Sequence, residues 1–346
     1  MSSASQRRVV VTGATGNVGT SVVRVLSEDP QVDEVHCVAR RMPRSSPEKT
    51  TWTAADIADE AYDLAADFAG ASAVVHLAWA FQPTHRPPET WRTNVLGSMR
   101  VFEAAARAGV PALVHASSVG AYSPGPKDHK VDEEWPTHGW PDAAYCREKA
   151  YLERVLDGFE RDHPDMRVVR MRPGFLFKEE SASEQRRIFG GVATPAQLGK
   201  LARPGLLPFL PDIPGLRFQV LHTDDAAGAY RLAVLGEARG AFNLAAEPPV
   251  DMPFLARLLK ARTVRMPAAA ARAALGTGWR LRLVRASPHL FDAVLGLPLM
   301  DCRRAREELG WRPERTATEA VEALLSGLRN ESGAPTPPLA SRPKTA

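Results

Sequence analysis

The sequence has few cysteines, no long apolar run and no block of like charge. Its only cysteines, Cys37, Cys146 and Cys302, are widely spaced and fit neither a disulfide framework nor a metal site. No stretch approaches the ~18 apolar residues needed to span a bilayer, and no apolar signal-peptide core follows the first residues. We therefore expect a protein of the reducing cytoplasm that binds neither a metal nor a membrane.

The charge of the chain is nearly balanced. Lys and Arg together number 44 and Asp and Glu together number 40, which gives a formal net charge of +4. The excess is spread along the chain rather than clustered, so nucleic-acid binding is not expected. The 346 residues, 44% of them hydrophobic, suffice for one large or two modest globular domains.

Short β-branched segments alternate with longer helical patterns through the first half of the chain. The strand patterns are RRVVVTG, DEVHCVAR, SAVVHLAW, ALVHASS and MRVVRMRP. Helical patterns follow them, among them 88–109 and 143–159. Such alternation implies right-handed crossovers between parallel strands. The sequence therefore predicts an α/β protein with a Rossmann-like, doubly wound parallel sheet.

The regular alternation breaks down after Pro173 and returns briefly further along the chain. We expect a Rossmann core of residues 1–172 and 217–247, and a smaller C-terminal substrate lobe of residues 173–216 and 248–325. Residues 326–346 are poor in apolar side chains, which predicts a disordered tail.

Three glycines interrupt the first strand–helix junction, in VVVTGATGNVGTSVVRVL. Gly13, Gly16 and Gly19 would allow a sharp turn, a close approach of the backbone to a pyrophosphate, and tight packing of helix on strand. Phosphates would then meet free N–H groups at the positive end of the helix dipole. This position indicates a dinucleotide-binding site.

The segment TGATGNVG resembles the extended branch of the short-chain dehydrogenase/reductase superfamily, the NAD(P)-dependent epimerase/dehydratase family. The resemblance continues through most of the chain and implies cofactor contacts at the ends of several strands. These contacts are expected from Gly13, Thr15, Gly16, Asn17, Val18, Gly19, Arg40, Arg41, Asp56, Ile57, Leu77, Ala78, Tyr145, Lys149 and Pro173.

The end of the second strand predicts the type of nicotinamide cofactor. Ala39 stands where an NAD site usually has an acidic residue for the ribose hydroxyls, and Arg40 and Arg41 follow it. Guanidinium groups bind a 2′-phosphate well, so we expect NADP, with NAD as the alternative.

Tyr145 and Lys149 are four residues apart in AAYCREKAYLERVL, so both side chains lie on one helix face. A nearby ammonium favours the phenolate and brings a phenol closer to acid–base function at neutral pH. The resemblance assigns carbonyl polarisation to Ser118, with Ser117 as the neighbouring candidate. It also implies that Asn94 holds an active-site water and the lysine in place.

The resemblance implies hydride transfer between a nicotinamide and a carbonyl or secondary alcohol, with Tyr145 as acid/base. One alternative is a nucleotide-sugar epimerase that uses bound NAD(P), and another is an NADP-binding redox sensor without turnover. Dehydration is not expected, because Val119 and Gly120 stand where the family's dehydratases carry Asp and Glu. Sugar-nucleotide epimerases of the family usually have an asparagine in the region where this sequence has Pro173, Gly174 and Phe175. This difference weakens the epimerase alternative.

Aromatic residues near the catalytic motifs suggest an apolar or ring-shaped small-molecule substrate. The expected substrate contacts are Trp79, Ser118, Trp135, Trp140 and Phe175. The tryptophans are equally compatible with packing between the lobes. Relatives of this type commonly dimerise through the helices at 88–109 and 143–159, so the resemblance also implies a homodimer.

Overall fold

The computed structural model describes residues 7–82, 84–190 and 203–341, which form alternating strands and helices. The strands are β1 (Arg8–Thr12), β2 (Glu34–Ala39), β3 (Thr50–Ala54), β4 (Ala73–His76), β5 (Ala112–Ala116), β6 (Lys130–Val131), β7 (Arg167–Pro173), β8 (Phe175–Phe177), β9 (Phe209–Asp212), β10 (Arg217–Phe218), β11 (Val220–His222), β12 (Gly240–Leu244), β13 (Val250–Asp251), β14 (Arg262–Arg265) and β15 (Leu299–Met300). The helices are α1 (Asn17–Ser27), α2 (Leu64–Phe68), α3 (Pro87–Trp91), α4 (Gly97–Arg107), α5 (Ala144–Asp162), α6 (Ala182–Gln185), α7 (Thr223–Leu235), α8 (Met252–Leu259), α9 (Ala268–Arg280), α10 (Pro288–Gly296), α11 (Arg303–Glu308) and α12 (Ala317–Asn330).

A seven-stranded parallel sheet in the order β12-β7-β5-β4-β1-β2-β3 forms the centre of the described chain. Its inner strands are almost entirely buried, because helices cover both faces. Val9, Val10 and Val11 of β1, for example, are completely buried. The predicted Rossmann-like doubly wound sheet is confirmed.

Each face of the sheet has its own apolar core. On one face, α1 and α7 pack together, and Leu26 and Tyr230 are fully buried there. On the other face, α4 and α5 bury Phe102 and Leu152. Within the described residues, no helix is both long and apolar enough to cross a bilayer.

A π-helical turn, Arg92–Leu96, joins α3 to α4, so that these elements form one continuous helical segment from Pro87 to Arg107. π-helical turns displace side chains from the regular helical stripe and are frequent at functional sites. This turn places Asn94 in the interior, where it is fully buried.

Three strand pairs organise the chain beyond β7. β9 pairs with β14, which joins the two separated segments expected to form the lobe. β8 pairs with β11 and β10 pairs with β13, and these pairs join the lobe segments to the expected core segment 217–247. The later helices return to the core, because α11 packs against β12, and α12 packs against β8 and β11. Helix α11 thus contacts a strand of the expected core, and α12 contacts both β8 of the expected lobe segment 173–216 and β11 of the expected core segment 217–247.

The tail differs from its expected disorder. Helix α12 continues to Asn330, and the chain is described as far as Ser341. The backbone N–H of Arg44 donates to the Pro335 carbonyl at 3.0 Å, and Leu339 is completely buried. The buried Leu339 therefore anchors a segment whose composition is otherwise polar. Residues 342–346 of the expected tail lie outside the described residues.

Candidate active site

The glycine turn between β1 and α1 is packed against its neighbours. Gly13 has φ of +72°, and a Cβ there would lie 2.5 Å from the Ala78 nitrogen at the end of β4. A Cβ on Gly19 would lie 2.3 Å from the Gly13 carbonyl oxygen. Both positions therefore require glycine for the turn to close.

Gly16 differs from Gly13 and Gly19, because a Cβ at this position would have no close contact. A Cβ there would meet nothing nearer than 3.5 Å, and Gly16 caps α1 without a side-chain hydrogen bond. The first backbone N–H groups of α1 thus have no capping side chain and are suited to an anion. The Asn17 side chain is already engaged by Leu176 and Thr223, at 3.1 and 3.2 Å. The turn has the form required to hold a pyrophosphate.

A cleft of about 420 Å³ extends from this turn to the ends of β2 and β3. Nine of the fifteen residues expected to contact the cofactor line it, namely Gly13, Thr15, Gly16, Arg40, Arg41, Asp56, Ile57, Leu77 and Ala78. Arg40 and Arg41 are exposed at its rim, beside buried Ala39. Pro337 and Pro338 of the tail line the same cleft.

An adjoining cavity of about 220 Å³ contains the expected catalytic side chains. Ser118, Tyr145 and Lys149 line it together with Pro173 and Phe175, and so do Gly16, Asn17, Val18 and Gly19 of the turn. The glycine turn and helix α5 therefore face one space.

The Tyr145 phenol lies in an aromatic environment. Its ring stacks on Phe81 at 4.8 Å between centroids and meets Trp79 edge-on at 5.7 Å. Burial raises the pKa of Tyr145, and a hydrogen bond with Ser118 opposes that rise. The Ser118 hydroxyl also accepts the backbone N–H of Gly120 at 3.0 Å.

Ser117 points into a buried ionic cluster instead. Its hydroxyl donates to Glu153 at 2.5 Å, and Glu153 also pairs with Arg172 at 2.8 Å and Arg170 at 3.1 Å. Although burial raises the pKa of Glu153, the two arginines and the Ser117 hydroxyl lower it to about 2. Ser118 lines the cavity beside Tyr145 and its side chain lowers the pKa of that phenol, whereas the Ser117 hydroxyl is engaged by Glu153.

Lys149 is almost completely buried on α5. Its Nζ donates to the Ala116 carbonyl at 2.5 Å and lies 3.4 Å from the centroid of the Trp79 ring. Burial lowers the pKa of Lys149 to about 7, although the nearby carboxylates Glu148 and Glu153 oppose this.

Asn94 clamps the loop that follows β4. Its Oδ1 accepts the Ala80 N–H at 2.7 Å, and its Nδ2 donates to the Ala80 carbonyl at 2.9 Å. The same Nδ2 donates to Glu148 at 2.7 Å, and Thr90 donates to the other oxygen of Glu148 at 2.6 Å. Sequence reasoning missed Glu148, although its position between Tyr145 and Lys149 on the buried stripe of α5 was a usable signal.

The expected substrate residues are only partly brought together. Trp79 and Phe175 line the catalytic cavity. Trp135 instead donates its indole N–H to the Ser123 carbonyl at 3.3 Å, and Trp140 packs beside Ala293 of α10. These two tryptophans serve packing, which was the alternative reading of the sequence.

A third cavity, of about 160 Å³, lies on the other side of Phe81 and also reaches Tyr145. Phe189, Trp279 and Leu290 contribute much of its apolar wall. The sequence did not reveal these residues, because they come from separated segments that only tertiary packing assembles. Phe81 could have been identified from the sequence, because it lies two residues after Trp79 in a loop at the carboxyl end of a strand.

A family model for the NAD dependent epimerase/dehydratase family matches residues 9–245. The 3-diazoavenalumate denitrifying reductase of a Streptomyces species is 32% identical over 326 residues, which covers 88% of this chain and 96% of that relative. The NAD-dependent glucose-6-phosphate dehydrogenase of Haloferax volcanii is 32% identical over 201 residues, covering 52% of this chain and 72% of that enzyme.

Solved structures agree on the fold. The NAD complex of Thermus thermophilus UDP-glucose 4-epimerase has a TM-score of 0.64 and 20% identity, with 93% of this chain and 99% of that chain covered. A dTDP-glucose 4,6-dehydratase from Streptomyces venezuelae, with NAD bound, has a TM-score of 0.67 and 18% identity, with 93% and 97% covered.

Proposed function

Because the chain belongs to the NAD dependent epimerase/dehydratase family, we propose that it is an NADP(H)-dependent reductase of a carbonyl on a ring-bearing small molecule. The observation that carries this proposal is the single cavity in which Ser118, Tyr145 and Lys149 meet the glycine turn. Dehydrogenase and reductase relatives support an oxidoreductase.

In this proposal the reduced nicotinamide, when bound, supplies the hydride to the carbonyl carbon. Tyr145 donates its phenolic proton to the carbonyl oxygen, and Ser118 donates a hydrogen bond to the same oxygen, so that the product is an alcohol. Lys149 holds the nicotinamide ribose. Lys149 lines the same cavity as Tyr145, so its ammonium charge would counter the burial that raises the pKa of the phenol.

Preference for NADP is supported by the rim of the cofactor cleft. Arg40 and Arg41 are exposed there, and no carboxylate occupies the position of Ala39. A 2′-phosphate would meet two guanidinium groups, which bind phosphate through charge-assisted hydrogen bonds.

A ring-bearing substrate is supported by the aromatic side chains around Tyr145. Trp79, Phe81 and Phe189 surround the phenol, and aromatic walls favour flat, apolar ligands. The Streptomyces relative carries a reductase name that refers to a diazo compound. Aryl ketones and aryl aldehydes are therefore the carbonyl substrates to test first.

A nucleotide-sugar epimerase with retained NAD(P) is the second candidate. The matching family model and the bound NAD of the epimerase neighbour favour it. An apolar Phe175 at the catalytic cavity is less suited to a sugar diphosphate than to a ring. A redox sensor without turnover is the third candidate. Its function would not depend on the Tyr145 hydroxyl.

The protein as purified separates these candidates. Its absorbance and mass spectrum are recorded for retained cofactor, and NADPH oxidation is then followed with the aryl substrates. A net reductase releases and exchanges NADPH and oxidises it with at least one of these substrates. Tightly retained NAD(P) with no net oxidation contradicts the proposal and favours the epimerase.

We further propose a homodimer in the cytoplasm. Leu96 and Tyr151 are exposed on the two helical segments expected to form the dimer contact, at 45% and 42%. The three cysteines are unpaired and buried, as suits a reducing compartment. Light scattering that gives a monomer mass at micromolar concentration contradicts the dimer.

A further inference from the structure

The Lys149 ammonium has an unusual partner. The side chain is 4% exposed, and one of its donors is satisfied by the Ala116 carbonyl at 2.5 Å. Its Nζ also lies 3.4 Å from the centroid of Trp79. An indole face carries negative charge density, and a desolvated cation gains most from such a contact.

The titratable groups around Lys149 are either engaged by other residues or neutral, so they do not take the place of the contact between its ammonium and the Trp79 ring. Glu148 accepts hydrogen bonds from Thr90 and Asn94, and Glu153 is paired with arginines on β7. His76 on β4 and His115 on β5 face the ammonium as neutral rings, because burial lowers the pKa of His76 to about 3 and that of His115 well below its usual value. Tyr145, one turn earlier on α5, is also neutral, because burial raises its pKa.

The Trp79 ring is held by its surroundings rather than by its own N–H. Its buried indole nitrogen has no hydrogen-bond partner among the described residues. The next residue, Ala80, is clamped at both its N–H and its carbonyl by Asn94, and Glu148 fixes the Asn94 amide. The Tyr145 ring meets Trp79 edge-on. The clamp therefore sets the indole between Tyr145 and Lys149.

We propose that Trp79 is a positioning residue that holds the Lys149 ammonium by a cation–π contact. Asn94 and Glu148 position Lys149 through Trp79 rather than directly, because the Asn94 amide is fully occupied by Ala80 and Glu148. This inference rests on the proposed function, in which Lys149 serves Tyr145, but the contact is measurable without substrate or cofactor.

The test is NMR of the full-length protein labelled with [ε-¹³C]lysine. The variant Lys149→Met identifies the Lys149 resonance by its disappearance. In the wild-type protein the ε protons of Lys149 are expected upfield of all other lysines, because they lie over the indole face. Trp79→Leu keeps the site apolar but removes the ring, so this upfield displacement is lost, and Trp79→Phe retains part of it.

A pH titration of the same resonance provides a second readout. Loss of the ring removes a contact made only by the charged form, so Trp79→Leu lowers the pKa of Lys149 by about one pH unit, and Trp79→Phe lowers it by less. Trp91→Phe is the matched control, because Trp91 contacts Tyr151 and not Lys149.

An ordinary chemical shift for Lys149 in the wild-type protein overturns the proposal, as does a pKa that stays constant or rises through the Trp, Phe and Leu series. Circular dichroism checks the fold of each variant. If Trp79→Leu does not fold, the comparison of Trp79→Phe with Trp91→Phe decides. Failure of the proposed reductase is scored separately, since NADPH oxidation does not enter these spectra.

Discussion

Burial sets the protonation of the side chains on the catalytic helix. It raises the pKa of Tyr145, which keeps the phenol neutral, and lowers the pKa of Lys149 to about 7, so that the ammonium titrates near neutral pH. Glu153 is the exception, because Arg172 and Arg170 outweigh its burial and lower its pKa to about 2. An oxidised cofactor bound here, whose nicotinamide is positively charged, would bring the Tyr145 phenol toward ionisation.

Replacing Lys149 with methionine should change how stability depends on pH. Between pH 7 and 10.5 the unfolded chain keeps the lysine proton that the folded protein has lost, so wild-type stability rises with pH in this window. Lys149→Met should be the more stable protein below pH 7, and its advantage should shrink by up to about 1.4 kcal/mol per pH unit above it. Urea unfolding from pH 6 to 9 measures this, and a constant difference would count against a buried lysine.

Removing both rim arginines should reverse the cofactor preference. Arg40→Ala with Arg41→Ala deletes the expected 2′-phosphate contacts and should weaken NADPH binding by about 10- to 100-fold, while NADH affinity changes little. Fluorescence titration with both cofactors gives the ratio. Arg44→Ala is the control, because Arg44 is exposed and does not line the cleft. Equal losses for both cofactors would refute the assignment.

The strand–helix junctions carry the binding elements of the site. The turn after β1 closes on itself through Gly13 and Gly19, and leaves Gly16 open toward the cleft. The loop after β4 brings Trp79 and Phe81 over α5. Both junctions lie at the carboxyl edge of the sheet, where parallel α/β folds bind their ligands.

Two glycine substitutions should separate folding from binding. Gly19→Ala forces a Cβ toward the Gly13 oxygen and should destabilise the protein by about 1–3 kcal/mol. Gly16→Ala meets nothing nearer than 3.5 Å, so the melting temperature should hold while NADPH affinity falls by about tenfold. Thermal unfolding and titration are compared for both variants. A Gly16→Ala protein with wild-type affinity would place the pyrophosphate elsewhere.

Local spacing made part of the site predictable from the sequence. The glycine turn and the Tyr145–Lys149 pair each lie within one strand–helix unit, where periodicity fixes geometry. The partners of those side chains were not predictable, because Trp279 and Phe189 reach the site only through the packing of distant segments. Aromatic composition also could not say which way a side chain points, so Trp135 and Trp140 were expected in a pocket that they do not line.

At the scale of the whole molecule, the C-terminal tail lines the expected cofactor cleft, although it lies far along the chain from the glycine turn. Arg187 binds the tail through the carbonyls of Ala340 and Pro338, and Leu339 is fully buried. Pro337 and Pro338 thereby complete a wall opposite Arg40 and Arg41. We therefore expect the order of the tail to affect cofactor binding in this cleft.

Deletion of residues 332–346 should weaken both stability and cofactor retention. Loss of the buried Leu339 alone should cost about 2–4 kcal/mol, and NADPH should dissociate faster once the proline wall is absent. Stopped-flow displacement and urea unfolding report the two effects. Deletion of 342–346 is the length control, because it leaves the contacts of Pro338 and Leu339 in place. Unchanged dissociation in the longer deletion would exclude the tail from the cofactor site.

The most direct test of the account compares wild-type protein with Tyr145→Phe for NADPH affinity and for NADPH oxidation with the aryl substrates. Loss of the phenolic proton should reduce turnover by about 100-fold or more, while NADPH affinity stays the same. Equal turnover in both proteins, or wild-type protein that does not bind NADPH, would contradict it.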